Sequence, residues 1–239
     1  MNYLNKTDDQ WAAMIENAPS ENDQKEAYET MLQAYKARVS KSIKTFDWGF
    51  NDFGNEELRQ MFYAVRKFAY DFMMHPIESE KIEPYWLTLL GKSEIGKSHL
   101  TQRLSVFLNK YGKIRAFPIF AYNDPATIES SIKFLKASKF SNESQTFKDK
   151  YKTDLGDITV LVVDDLHLGV KSWVKDDLCN LFMLRSGEGL APFRWTVVSS
   201  NLTRLQIDRD FDKRTASRMR RNKNVVLELS DSITPFVDR

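Results

Sequence analysis

The run Trp86-Leu-Thr-Leu-Leu-Gly91-Lys-Ser-Glu-Ile-Gly96-Lys97-Ser98-His99-Leu100 restricts the fold more than any other part of the chain. An apolar stretch of strand character enters Gly-x-x-x-x-Gly-Lys-Ser, and a helical pattern follows it. That is the sequence form of a P-loop. Glycine lets the backbone turn so that successive N–H groups point inward at phosphate oxygens. The helix that follows adds its N-terminal partial positive charge. Lys97 reaches the β- and γ-phosphates, and the Ser98 hydroxyl holds Mg²⁺. The candidate nucleotide loop for ATP is therefore Gly91, Lys92, Ser93, Glu94, Ile95, Gly96, Lys97, Ser98 and His99. Glu94 has to point outward, because a carboxylate facing the phosphates weakens binding.

With 239 residues, the chain has room for one large domain or for a domain with a small appendage. Its formal charge of +2 and apolar content of 42% are ordinary for a soluble globular protein. The single cysteine, Cys179, excludes a disulfide framework and a cysteine-based metal site, and it fits a reducing cytoplasm. The start of the chain has no apolar signal-peptide core, and no run is long enough to span a bilayer.

Apolar residues are sparse until Tyr28, Met31, Leu32, Tyr35 and Val39, which share one face of a helix of about four turns. Ser20 or Asn22 can cap it. Such a helix cannot build a core alone, so it packs on the main domain or meets a partner. An aromatic, glycine-broken stretch runs from Thr45 to Asn55. A helix from Glu56 to about Phe72 follows, with Leu58, Met61, Phe62, Val65, Phe68 and Ala69 on one face, ended by His75-Pro76. The spacing then predicts a strand at Trp86–Leu90, a helix at His99–Tyr111 and a strand near Ile114–Tyr122. Asp124–Lys152 reads as helix then polar loop or second helix. Further strands are expected at Ile158–Val163, Trp195–Ser199 and Val225–Leu229. Helices are expected near Ser172–Arg185 and Phe211–Arg221. Strands alternating with helices imply a parallel sheet covered on both faces.

The third strand ends Val160-Leu-Val-Val163-Asp164-Asp165. Four apolar residues running into a carboxylate form the Walker B pattern, which delivers Asp164 to the sheet edge beside the P-loop as a Mg²⁺ ligand. Asp165 is placed to polarise the attacking water. Many ATPases have Glu there, and the shorter Asp suits slow hydrolysis. Asn201, at the end of the next strand, emerges at the same edge and can orient that water, the role called sensor 1. Asn at a strand end is also a common turn residue. The basic segment Asp212-Lys-Arg214-Thr-Ala-Ser217-Arg218-Met-Arg220-Arg221 offers an arginine finger supplied in trans. Arg218 is the first candidate and Arg214 the second. A solvated basic face, or phosphate contacts to nucleic acid, are the alternatives.

These elements in this order resemble the AAA+ ATPases, and within them the DnaC/DnaI helicase loaders and the related IstB transposition ATPases. The resemblance rests on Gly96-Lys97-Ser98-His99-Leu100, on Phe46 through Asn55, on Leu184-Arg185 with Pro192 and Ser200-Asn201-Leu202, and on Ser217-Arg218-Met219. It covers about Phe46 to the end. Glu94-Ile95 departs from the small pair usual in that family, and Asp164-Asp165 is the Walker B form more usual in DnaA-like initiators. The resemblance implies a P-loop parallel sheet sandwiched by helices, without a C-terminal lid domain, over residues 46–239. Residues 1–45 would be a short helical segment that grips the partner. Asp124–Lys152 would take the place of the helix that contacts single-stranded DNA, with Lys133, Lys136 and Lys139 on phosphates. Phe134, Phe140, Phe147 and Tyr151 could stack on bases.

The function implied is an ATP-dependent loader of the replicative DNA helicase onto single-stranded DNA, self-associating through its ATP sites, with no membrane role. A transposition ATPase that binds DNA and recruits a transposase is the alternative. A small-molecule kinase lacks an evident acceptor motif here. A non-hydrolysing protein with a relic P-loop stays open because of Glu94 and Asp165.

Overall fold

The computed structural model describes residues 8–46, 55–75, 77–78, 80–111, 132–136, 159–168, 172–187, 194–221, 223–230 and 232–233. In chain order the elements are α1 (Asp8–Glu16), α2 (Glu21–Lys44), α3 (Glu56–Met74), β1 (Trp86–Leu90), α4 (Lys97–Tyr111), β2 (Ile132–Lys136), β3 (Val160–Leu166), α5 (Ser172–Leu184), β4 (Trp195–Ser200), α6 (Arg204–Gln206), a π-helical turn (Ile207–Phe211), α7 (Lys213–Met219) and β5 (Val225–Glu228).

Among the described residues the strands form one parallel sheet of five in the order β2-β3-β4-β1-β5. β1 and β4 are buried along their whole length, and β3 at all but Asp165. Alternate residues feed two apolar layers, as the two-residue period of a strand requires. Leu87, Leu89, Val160, Val162, Trp195 and Val197 meet helices α1 to α4 on one face. Trp86, Leu90, Leu161, Val163 and Val198 meet α5, α7 and the π turn on the other. The parallel arrangement brings the C-terminal ends of β1, β3 and β4 to one edge, where ligands bind in open α/β sheets.

The predicted inner face of α3 is buried as a whole, and Asn55 caps the helix by accepting from Glu57 N at 2.8 Å. Ser20 is the cap of α2, accepting from Asp23 N at 3.2 Å. α2 runs for 24 residues, longer than its sparse apolar pattern suggests. α1 was not foreseen at all. Its Trp11 is fully buried in the layer that holds Met31, Tyr35, Val39 and Ile43 of α2 together with α3, α4 and the sheet. The Tyr35 hydroxyl also donates to the Met73 carbonyl at 2.5 Å. The first two helices thus pack on the main domain.

Two expectations are corrected. Residues 132–136, including Lys133 and Lys136, form β2, the outermost strand on its side among the described residues, and not a helix, pairing in parallel with β3 from Ile132↔Val160 to Lys136↔Asp164. Its residues, Ile-Lys-Phe-Leu-Lys, are too few to carry a helical or strand period by themselves, so the ladder to β3 decides their state. The strand expected near Ile114–Tyr122, the rest of Asp124–Lys152 and Lys139 lie outside the described residues. The helix expected at Phe211–Arg221 begins later, because Asp212 is extended (φ −164°) and its carboxylate accepts from Thr215 N at 2.5 Å as the cap of α7. Among the described residues, no helix is long and apolar enough to cross a membrane.

Candidate nucleotide-binding site

The loop between β1 and α4 adopts the turn its glycines permit. Gly91 has φ +139°, and a Cβ there would lie 3.0 Å from both Ile95 Cδ1 and Leu229 Cβ. No other residue fits both that angle and that space. Gly96, at φ +101°, accepts from Leu100 N at 3.0 Å and so opens α4. Ile95, foreign to the small pair usual in the family it resembles, is buried in the core behind the loop. Glu94 takes the left-handed conformation (φ +67°) and is exposed, as are Ser93, Ser98 and His99.

Lys97 is buried, and all three ammonium protons are used. Its Nζ donates to the carbonyls of Gly91 (2.7 Å) and Lys92 (2.5 Å) and to Asn201 Oδ1 (2.9 Å). Burial lowers its pKa to about 8, against the opposing pull of Asp164 and Asp165.

Asp164 is fully buried. Its Oδ1 accepts from the Ser199 hydroxyl at 2.5 Å and lies 3.1 Å from the Thr101 hydroxyl, which is also 3.1 Å from the Ser98 carbonyl. Its Oδ2 has no hydrogen-bond partner among the described residues. A buried carboxylate oxygen left without a donor is costly unless a cation or its water meets it. With the exposed Ser98 hydroxyl at the start of α4, this gives the oxygen donors that Mg²⁺ prefers, the rest coming from phosphate and water. The residues present fit Mg²⁺.

Asp165 sits one residue beyond, at φ +60°. The register of β3 against β4 breaks here: Val163 faces Val198, but Leu166 faces Ser200. Two residues of β3 therefore oppose the single residue Ser199, which is a β-bulge. The Ser199 hydroxyl accepts from Asp165 N at 3.1 Å, and Asn201 Nδ2 donates to Asp165 Oδ1 at 3.4 Å. Asn201 therefore joins Lys97 to Asp165, so four predicted site residues, Lys97, Asp164, Asp165 and Asn201, lie together.

The arginines of α7 divide. Arg214 is exposed, whereas Arg218 is only 5% exposed. Burial raises the Asp212 carboxyl, but hydrogen bonds from Thr215 and Arg214 and the charge of Arg218 hold it below its usual range. Lys133 and Lys136 lie on β2, and the register sets Lys136 beside Asp164 at the C-terminal edge. Thr101 and Ser199 were not foreseen as part of the site. A hydroxyl one turn beyond Ser98, and another two residues before Asn201, were the available signals.

No family model matches the sequence, and no curated protein matches it. Solved structures do. The crystal structure of the DnaC helicase loader superimposes with a TM-score of 0.55 at 15% identity, over 80% of this chain and 99% of that one. A DNA replication initiation factor superimposes with a TM-score of 0.52 at 14% identity, over 76% of this chain and 49% of its own. The chain has the fold of the DnaC helicase loader, a parallel sheet covered by helices with the P-loop sequence at the end of β1.

Proposed function

We propose that this chain is an ATP-switched AAA+ protein of DNA replication initiation, which loads the replicative helicase onto single-stranded DNA in the cytoplasm. The observation that carries the ATPase part is the contact chain Lys97–Asn201–Asp165 at the sheet edge, with a buried Asp164 oxygen beside it that has no hydrogen-bond partner among the described residues. The loader part is supported by the likeness in fold to the DnaC helicase loader, which spans 99% of that solved chain.

In this reading the loop N–H groups and Lys97 hold the ATP phosphates, and Ser98 and Asp164 hold Mg²⁺. When bound, Mg²⁺ neutralises charge on the β- and γ-phosphates. Asp165 accepts the proton of the attacking water, and the Asn201 amide orients it. An arginine on α7 approaches the site of a neighbouring copy and stabilises charge on the γ-phosphate. ATP then controls assembly, and hydrolysis, slow in isolation, ends it. Lys133, Lys136 and Lys139 contact DNA phosphates, and reversing their charges flattens the salt dependence of DNA binding.

The test is to measure ATP-dependent capture of a purified replicative helicase, with single-stranded and duplex DNA compared in the same format. Capture with ATP and a preference for single strands, both lost in Lys97→Ala, is expected. Preference for duplex DNA with no helicase capture would replace the loader with a transposition ATPase. Failure to bind ATP at millimolar levels would remove the switch altogether.

A further inference from the structure

We propose that Ser199 is a positioning residue for the Mg²⁺-binding carboxylate, fixing Asp164 so that its Oδ2 alone faces the nucleotide site, and pinning the bulge that carries Asp165. The inference rests on the ATPase reading above and names a group that reading does not use.

The observation is one hydroxyl with two jobs. Ser199 Oγ donates its single proton to Asp164 Oδ1 at 2.5 Å, and its lone pair accepts from Asp165 N at 3.1 Å. Ser199 is 1% exposed and Asp164 is fully buried, so water does not substitute for either bond. A carboxylate rotates about its last torsion in a broad well, and without a donor neither oxygen is preferred. Ser199 ties down Oδ1. Oδ2 is left without a partner among the described residues, the acceptor available to a cation. Thr101 lies 3.1 Å from the same Oδ1, but its proton is shared between Asp164 and the Ser98 carbonyl, also at 3.1 Å. It supports the arrangement less strictly.

The second bond links this orientation to the water-polarising group. Asp165 N–H points at Ser199 because β3 bulges, with Asp164 and Asp165 both opposite Ser199. The same side chain therefore sets where the cation ligand faces and where the next carboxylate begins.

Ser200 is the natural control. It is the adjacent residue of β4, equally buried, and its hydroxyl is equally engaged: it donates to Leu166 O at 2.5 Å and accepts from Leu202 N at 3.0 Å. Neither of these hydrogen bonds goes to Asp164. Removing it tests loss of a buried hydroxyl without loss of the carboxylate's donor.

The experiment titrates the full chain with a fluorescent ATP analogue at rising Mg²⁺ and, separately, in excess chelator. Ser199→Ala is expected to raise the Mg²⁺ concentration for half-maximal binding by about 10- to 100-fold, the usual effect of removing a group behind a metal ligand. Metal-free affinity is expected to stay near that of wild type. Ser199→Thr, which keeps the hydroxyl, is expected to restore the Mg²⁺ response, Thr101→Val to weaken it less, and Ser200→Ala to leave it alone. Equal weakening of binding with and without Mg²⁺ in Ser199→Ala, or the same Mg²⁺ shift in Ser200→Ala, would overturn the proposal. If Ser199→Ala does not fold, Ser199→Cys and Ser199→Thr decide it: an unaltered Mg²⁺ response in Ser199→Cys, whose thiol is only a weak donor, or a lost response in a folded Ser199→Thr, overturns it. A wild-type chain that binds no ATP would sink the functional reading itself, a result distinct from either.

Discussion

Asp165 stands where many ATPases carry Glu, and its backbone explains the choice. At φ +60° it occupies the left-handed region, which Asp and Asn tolerate through short polar side chains and which longer residues enter at greater cost. Asp165→Asn is therefore expected to keep the melting temperature and ATP affinity while lowering hydrolysis by roughly 10²- to 10⁴-fold, the range for loss of a general base. Asp165→Glu is expected to cost roughly 1 kcal/mol of stability in denaturant melts without speeding hydrolysis. A stable, faster Glu variant would contradict this account. Lys97 makes a second prediction at this scale. Burial lowers its pKa to about 8 without nucleotide, and bound phosphates favour its protonated form. The protonated form is the one that binds, so ATP affinity is flat well below pH 8. Above that it falls, by up to tenfold per pH unit, until the pKa of the complex is reached. Calorimetry at pH 8 in buffers of different ionisation enthalpy should report proton uptake on binding. No uptake would mean the charge of Lys97 is unaffected by ATP. Lys97, Ser98 and Asp164 were legible because each belongs to a motif whose chemistry is local in sequence. Ser199 was not, because only the folded register of β3 against β4 brings its hydroxyl to Asp164.

Among the elements, those with long clear periods, α3 and α4, and those with near-continuous apolar runs, β1, β3 and β4, were legible to within a few residues. α1 was missed because one tryptophan, Trp11, supplies its fully buried anchor with little periodic support around it. β2 was misread because its state is settled by pairing with β3, which no local pattern reveals. α7 carries the prediction at this scale. Its two arginines share a seven-residue helix, yet Arg214 is presented to solvent and Arg218 is folded against its own protomer near Asp212. Arg214→Ala is expected to bind ATP and not hydrolyse it. Mixing it with Lys97→Ala, which still donates Arg214, is expected to leave hydrolysis in the Arg214→Ala sites and so restore turnover. Arg218→Ala is expected to lower the melting temperature, since it empties a buried side-chain position and removes a cation from beside Asp212. Rescue by mixing for a stably folded Arg218→Ala, and none for Arg214→Ala, would keep the finger at Arg218, the first candidate of the sequence.

At the scale of the whole molecule, the first two helices are part of the domain and not a detachable arm. Trp11, Met31, Tyr35, Val39 and Ile43 lie in the layer that also holds α3, α4 and the sheet. Burying one large apolar side chain contributes roughly 1.5–3 kcal/mol. Five such contributions are comparable to the roughly 5–15 kcal/mol that separates a folded domain from its unfolded chain. Removing residues 1–45 also bares the apolar side of α3. A truncated chain is therefore expected to aggregate or melt well below the intact protein. Loss of partner capture by that truncation would then say nothing about where the partner binds. Surface substitution is the sharper probe. The start of α2 is exposed and acidic at Glu21, Asp23, Glu26 and Glu29, and its end is exposed and basic at Lys41 and Lys44. Glu26→Lys with Glu29→Lys alters that charge without touching the core, so the melting temperature is expected to hold. If α2 grips the helicase, capture falls in this double variant and recovers as salt screens the mismatch. Unchanged capture by a variant of unchanged stability would clear this face of α2 and direct the search to the rest of the domain surface.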